Sequence, residues 1–350
     1  MTKYEDFIIE NTALSGTTKI VVDDIWGNRI GEIPLGSLTP PNDKKKLYSF
    51  GVLSDVHIGQ YDAIDDFTNA LQYLSTETDF ICISGDLVHY DDKDLRETYA
   101  NLVTNNAEVP VYACAGNHDG YNSDIENLIS TYTGYPLYYS IGIDNKGGYV
   151  DSDTSQTPKA YGNNVKDVFI FVGVKSNTAG SIFTEDELGW LADTLEANRN
   201  KRCFVFQHVR PDDACGNALG IYDWDIWKND AQEVVDFERL LRTYPNIVLF
   251  HGHSHLKFDL QQYADSEDLT AEYRKLANID KVFGCWSVHV PSITVPRSTQ
   301  SVENPSRWEL KEHSEGYVVD VYENGIHLRG RDFENGTYLP IASYWLDTTF

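Results

Sequence analysis

The sequence predicts an α/β fold with much parallel pairing, on three observations. Six short apolar runs recur from Leu47 onward, at 48–53, 80–83, 109–113, 168–174, 203–206 and 247–250. Amphipathic stretches of helical period lie between several of them. Five of the six runs lead directly into Asp, His or Asn side chains. Near-continuous apolar runs suit strands covered on both faces. Their alternation with helices argues for a parallel core.

Residues 17–36 read as a strand, a turn at Gly27-Asn28 and a second strand. Thr39-Pro40-Pro41-Asn42-Asp43-Lys44-Lys45-Lys46 then forms a breaker-rich linker. Residues 1–46 are therefore an N-terminal appendage, and 47–350 the main domain. After the run at 48–53, Ile64, Phe67, Leu71 and Leu74 fall on one helical face. After 168–174, a capping box of Thr184 and Glu187 opens a helix carrying Leu188, Leu191 and Leu195. Val234, Phe237, Leu240 and Leu241 form a third stripe. The C-terminal stretch alternates at 317–322 and carries Asn324-Gly325 and Asn335-Gly336, both hairpin turn signals, so antiparallel strands are expected at a sheet edge. Residues 144–164 and 209–230 read as long loops. The second holds Tyr222, Trp224 and Trp227, which either roof a site or pack on the domain edge.

Composition bounds the function. The chain has 350 residues, 41% apolar, with 54 acidic residues against 28 basic ones and a formal net charge of −26. Such a surface repels a phosphate backbone, so nucleic-acid binding by charge is disfavoured. A metal site would carry its own positive charge, which keeps small anionic substrates in play. The five cysteines have no regular spacing, and Cys82, Cys114 and Cys203 sit in apolar runs as buried thiols do. Met1 to Glu10 lacks a basic start and an apolar stretch, so no signal peptide is expected. No run approaches the ~20 apolar residues of a membrane helix. The expected location is cytoplasmic, with no membrane partner.

The run ends carry the chemistry. They supply Asp55-Val56-His57, Gly85-Asp86, Gly116-Asn117-His118-Asp119, Gln207-His208 and His251-Gly252-His253-Ser254-His255. Strand carboxyl ends line up at one edge of a parallel sheet, where ligands bind. Residues two apart on a strand share a face, as Asp55 and His57 do, and His253 and His255. Glycines before Asp86, Asn117 and His253 let the backbone turn where a side chain would obstruct. Carboxylate, imidazole and one amide oxygen suit Mn, Fe, Zn, Ni or Co better than Ca.

In this order the five segments resemble the calcineurin-like metallophosphoesterases, from about Leu47 to at least His255. The resemblance implies a two-sheet sandwich flanked by helices, in four layers, and two divalent or mixed-valence transition metal ions. It implies that Asp55, His57 and His255 bind the first ion, Asn117, His208 and His253 the second, and that Asp86 bridges both. His118 would be no ligand but a catalytic acid at the leaving oxygen, with Asp119 orienting its ring. Physical reasoning agrees with a shared carboxylate, because two close divalent ions repel. A water bridging such ions loses a proton near neutral pH and attacks phosphorus in line. The leaving alkoxide needs a proton, and an imidazole of pKa ~6.5 can give it.

Each role has a blander alternative. Scattered structural polar residues do not explain five coincident run ends. Asp119 would otherwise cap a following turn. His251, His313 and His327 are expected to pack or be solvated, and His89 and His289 more readily do so than line the site. Arg210 and Arg297 either meet substrate charge or lie solvated at the surface.

Departures from sub-families narrow the reaction. Asp119 and His89 depart from the patterns of protein serine/threonine phosphatases. His89 also stands where purple acid phosphatases place a metal-binding Tyr, which speaks against a charge-transfer iron site. The expected activity is hydrolysis of a small or medium phosphodiester by a hydroxide bridging two metals, with His118 as acid. A phosphomonoesterase is the first alternative. A non-catalytic structural or binding module of a larger assembly is the second.

Overall fold

The computed structural model describes the backbone of residues 19–23 and 29–34, and residues 44–120, 125–175, 182–211, 214–216, 232–258, 278–281, 283–297 and 313–349. Near the N-terminus β1 (Lys19–Asp23) pairs antiparallel with β2 (Arg29–Pro34), as expected. The expected Gly27-Asn28 turn lies outside the described residues.

The six apolar runs are all strands, divided between two sheets. β3 (Tyr48–Leu53), β4 (Phe80–Ser84) and β5 (Val111–Cys114) are parallel neighbours. β13 (Glu315–Val321), β14 (Gly325–Asp332) and β15 (Thr337–Asp347) extend that sheet antiparallel from β3 to its edge. The C-terminal hairpins are thus where their turn signals put them. The second sheet joins β8 (Asp167–Val172), β9 (Arg202–Gln207) and β10 (Ile247–His251) in parallel. β12 (Trp286–His289) and β11 (Ile279–Asp280) flank β10, while β6 (Tyr138–Ile143) and β7 (Tyr149–Asp153) flank β8. β7 corrects the reading of 144–164 as loop: only Tyr149 and Val150 are apolar and its side chains alternate between exposed and more buried, so no apolar run marks it, yet β6 offers it a partner.

Period-two alternation decides what each strand face covers. Phe50, Phe80, Phe169, Phe171, Phe204, Phe206 and Phe250 point between the sheets into one core. Their rings stack or meet edge to face, as Phe50 and Phe169 do at 5.0 Å. The opposite faces meet helices. Ile81, Ile83 and Val318 pack under α1 (Ala63–Glu77), α2 (Lys93–Asn106) and α3 (Ile125–Thr133). Cys203, Val205, Ile247 and Leu249 pack under α4 (Glu185–Ala197) and α5 (Gln232–Thr243). The result is the expected four layers, helix, sheet, sheet, helix.

The helix signals hold with one exception. Thr184 Oγ1 accepts from the Glu187 N–H at 2.9 Å, and the Glu187 carboxylate answers at the Thr184 N–H. In α1, Phe67, Leu71 and Leu74 are buried but Ile64 is 50% exposed. Ala63 and Ala70 complete the inner face instead; at 100° per residue Ile64 stands about 90° from its centre. All five cysteines are free and buried. Among the described residues, no helix is long and apolar enough to cross a membrane.

Candidate metal centre

The carboxyl ends of β3, β4, β5, β9 and β10 meet at one edge of the sandwich, and backbone bonds lock their loops together. Asp55 N–H donates to Gly85 O at 3.1 Å, and His57 N–H to Asp86 O at 2.9 Å. The second sheet is tied across by His253 N–H donating to Asp55 Oδ2, while Gly252 N–H donates to His208 O within the second sheet. Ser292 Oγ and Thr294 Oγ1 donate to the carbonyls of Asp55 and Val56, strapping the first loop from a segment the sequence left unread.

Seven non-glycine residues among those described have positive φ, and five of them are Asp55, His57, Asp86, His253 and His255. Such strain persists only where surroundings over-determine it, and it gathers at functional sites. Gly85 needs its glycine: its φ is +85°, and a Cβ there would lie 2.6 Å from His208 Cβ. Gly116 and Gly252 act differently, giving room for Asp86 and for Ser54 and Asp55 to approach.

Beside an all-imidazole group of His57, His89 and His118, two donor clusters carry carboxylates. Asp55, His57, Asp86 and His255 form one, and Asp86, His208 and His253 the other, each with its donor atoms within 4.8 Å of one another. Asp86 belongs to both. Its Oδ2 is 3.0 Å from His208 Nε2 and 3.5 Å from His57 Nε2. His255 Nε2 stands 3.0 Å from both Asp55 Oδ1 and His57 Nε2. Carbonyl oxygens set the tautomers: His208 Nδ1 donates to Ser84 O at 2.7 Å and His255 Nδ1 to Val295 O at 3.3 Å. Both rings therefore offer Nε2 to the site.

The donor set fits divalent metal. Asp55 Oδ1, Asp86 Oδ2, Asn117 Oδ1 and His208 Nε2 are buried and make no hydrogen bond, an arrangement that is costly unless something else coordinates them. Burial holds His57 and His255 below the ordinary imidazole value, and His253 down to about 3, so all three are neutral, as metal ligation requires. At His208 burial opposes the imidazolium, but Asp86 and Asp55 prevail and raise it to about 9. Burial likewise opposes ionisation of Asp55 and Asp86, and the imidazoles outweigh it.

His118 lies beside the first cluster, its ring 4.7 Å from that of His57. Its Nδ1 donates to the His89 carbonyl at 2.7 Å, and its backbone N–H to Asp86 Oδ1 at 2.8 Å. Asp119 bonds to backbone. That carboxylate is buried and accepts from the N–H groups of Gly116, Leu87 and Val88, so it braces the second and third loops together. Burial and the nearby Asp86 push its carboxyl up to about 7.

His89, which the sequence reading left as packing, is part of the wall. It stacks on His118 at 5.0 Å, and its Nδ1 is 3.3 Å from His57 Nδ1. Its place three residues after Asp86 was the signal. His251 and His289 bond locally, to Ser287 Oγ and Leu256 O, and His313 is half-buried. Arg210 and Arg297 are not solvated: they are 4% and 7% exposed. Arg210 donates to the carbonyls of Pro211 and Ala214, and Arg297 N–H to His255 O. Tyr222, Trp224 and Trp227 lie outside the described residues.

A family model described as calcineurin-like phosphoesterase matches residues 48–257, which span all five candidate metal-binding loops. The chain belongs to that family. Membership implies metal-dependent phosphoester hydrolysis, and the buried His and Asp clusters could bind metal. Among curated proteins none matches significantly. A purple acid phosphatase from yellow lupin (Lupinus luteus) seeds is similar in structure, at TM-score 0.50 and 12% identity, covering 92% of this chain and 58% of that one. This chain thus spans less than two thirds of that phosphatase, and the likeness is one of fold. Vacuolar protein sorting 29 from Cryptosporidium parvum aligns at TM-score 0.38 and 11% identity, over 87% of this chain and 100% of that one.

Proposed function

We propose that this calcineurin-like phosphoesterase is a phosphodiesterase for small or medium diesters, with His118 as general acid. The carrying observation is the pair of donor clusters that share Asp86, with His118 held beside them. Asp55, His57 and His255 would hold one ion, Asn117, His208 and His253 the other, and Asp86 both. Bound divalent ions supply a deprotonated water as nucleophile and neutralise phosphoryl charge.

The chain's own groups do the rest. With Nδ1–H donated to the His89 carbonyl, the proton for the leaving oxygen comes from Nε2 of His118. Asp86 Oδ1 accepts the His118 N–H, so the shared carboxylate and the acid move as one unit. Ser84 O and Val295 O keep two ligand rings turned inward.

Charge supports a diester. The wall beside the first cluster is imidazole, from His57, His89 and His118; Arg210 is committed to backbone carbonyls, which leaves Arg297, whose charge acts on His255, as the cation near it. A monoanionic diester needs less positive charge than a dianionic monoester. A net charge of −26 points the same way and disfavours long nucleic acid.

The test is to load the protein separately with Mn, Fe, Zn, Ni and Co and compare bis(4-nitrophenyl) phosphate with 4-nitrophenyl phosphate. The diester should lead in kcat/KM by about tenfold or more. A leading monoester hands the site to monoester hydrolysis. Metal binding without turnover of any ester would make the chain a non-catalytic module.

A further inference from the structure

We infer that Ser292 and Thr294 are positioning residues for the ion assigned to Asp55, His57 and His255, and that they set its affinity without setting that of the second ion. The inference rests on the ligand assignment proposed above.

The segment 289–297 leaves the tip of β12 and runs between the two loops that carry all three ligands. It is buried throughout, and it lies beyond residues 48–257, which the family model matches. On one side it holds the first loop. Ile293 N–H donates to Ser54 O at 3.1 Å, Ser292 Oγ to Asp55 O at 3.0 Å and Thr294 Oγ1 to Val56 O at 2.7 Å. On the other side it holds the fifth loop, which carries His255. Val295 O accepts from His255 Nδ1 at 3.3 Å, Arg297 N–H donates to His255 O at 2.6 Å, and His289 Nε2 donates to Leu256 O at 2.7 Å. Among the described residues, none of the segment's hydrogen bonds reaches Asn117 or His208.

The two hydroxyls act where the backbone is strained. Asp55 and His57 stand at φ 53° and 49°, a left-handed conformation that persists only where the surroundings over-determine it. The peptide between Val56 and His57 is gripped at both ends: its N–H donates to Asp86 O at 2.9 Å, and its carbonyl accepts from Thr294 Oγ1. Ser292 holds the carbonyl one residue back. Its oxygen also accepts from Val295 N–H at 2.9 Å, which folds the segment into a turn. Pro291 and Pro296 flank that turn, and each fixes its own φ. The segment is therefore stiff by itself, and Asp55, His57 and His255 all take their places from one short stretch of chain. Groups that hold metal ligands in place typically set about 10- to 100-fold in metal affinity.

The test is a calorimetric titration of Mn into the metal-free protein, where two binding events are expected. His255→Ala should remove one event and Asn117→Ala the other, which assigns them. A Ser292→Ala/Thr294→Val variant should weaken the event that His255→Ala removes by about 10- to 100-fold and leave the other within about twofold of wild type. Thr294→Ser, which keeps the hydroxyl, should bind both ions as the wild type does. If the double variant does not fold, Thr294→Val alone carries the same comparison. Equal weakening of both events overturns the inference, and so does full retention of both. Selective weakening without hydrolysis of any diester would uphold the positioning role and sink the hydrolase reading. Hydrolysis with both events weakened alike would do the reverse.

Discussion

Metal should stabilise this fold measurably, and in steps set by Asp86. Four buried donor atoms lack hydrogen bonds, on Asp55, Asp86, Asn117 and His208, and each such group costs about 1–3 kcal/mol until it is coordinated. An ion held at 100 times its Kd adds about 2.7 kcal/mol to the folded state. For 350 residues, unfolding entropy of ~2.1 cal/mol/K per residue sums to about 0.7 kcal/mol/K. Each ion should then raise Tm by about 4 °C, and two by about 7 °C. The assay is differential scanning calorimetry with and without excess Mn or Zn. His255→Ala removes a donor from one cluster only and should keep about 4 °C of the shift. Asp86→Asn weakens both clusters, because its carboxylate lies 3.0 Å from His208 and 3.5 Å from His57, and should keep little or none. A full shift in Asp86→Asn, or identical losses in both variants, would refute the shared carboxylate.

Three further outcomes follow from the same contacts. His118→Ala should lower kcat on alkyl leaving groups by about 10²–10⁴-fold and much less on 4-nitrophenolate, which departs without a proton; steady-state kinetics showing equal losses would remove His118 as the acid. Asp119→Ala leaves the Gly116, Leu87 and Val88 N–H groups unsatisfied and should cost about 3–5 kcal/mol in urea unfolding, whereas a purely ring-orienting Asp119 would cost activity alone. Burial, then Glu334, Asp62 and Asp65, push the Asp66 carboxyl up to about 7. Its folded value exceeds the unfolded one, so the stability it contributes is whole below about pH 4 and lost as pH rises through 7. The full difference would be about 4 kcal/mol, reduced by solvent screening to about 1–2. Asp66→Asn should therefore stabilise at pH 8 and leave pH 4 unchanged; the opposite order in denaturant melts would refute the sign.

The elements legible in the sequence are those whose cause is local. An apolar run buried on both faces names its own strand, as at 203–206. Thr184 and Glu187 satisfy each other three residues apart, so the start of α4 needs no partner. Asn324-Gly325 and Asn335-Gly336 turn the chain wherever the strands go. The candidate ligands are legible locally too, because Asp, His and Asn at strand tips answer to chemistry rather than packing.

What the sequence by itself determined was a set of strand tips, each bearing donors suited to metal, and the family to which they belong. Tertiary structure alone decided how those tips meet. Strand pairing is made by backbone N–H and C=O groups that are the same in every residue, so no side-chain pattern says that β3, β4 and β5 share one sheet and β9 and β10 another. Only that division lets His208 and His253 arrive from the second sheet to face Asp86 on the first. For the same reason the carbonyl that accepts from the His118 ring could not be read from the sequence. Asp119 is its neighbour in sequence, but the group that orients the ring is a backbone carbonyl at His89, on another strand's loop and without a side-chain signature. Ile64, Arg210 and β7 changed their readings for nearer causes: the angle of the buried face of α1, the carbonyls of Pro211 and Ala214, and the preceding strand β6.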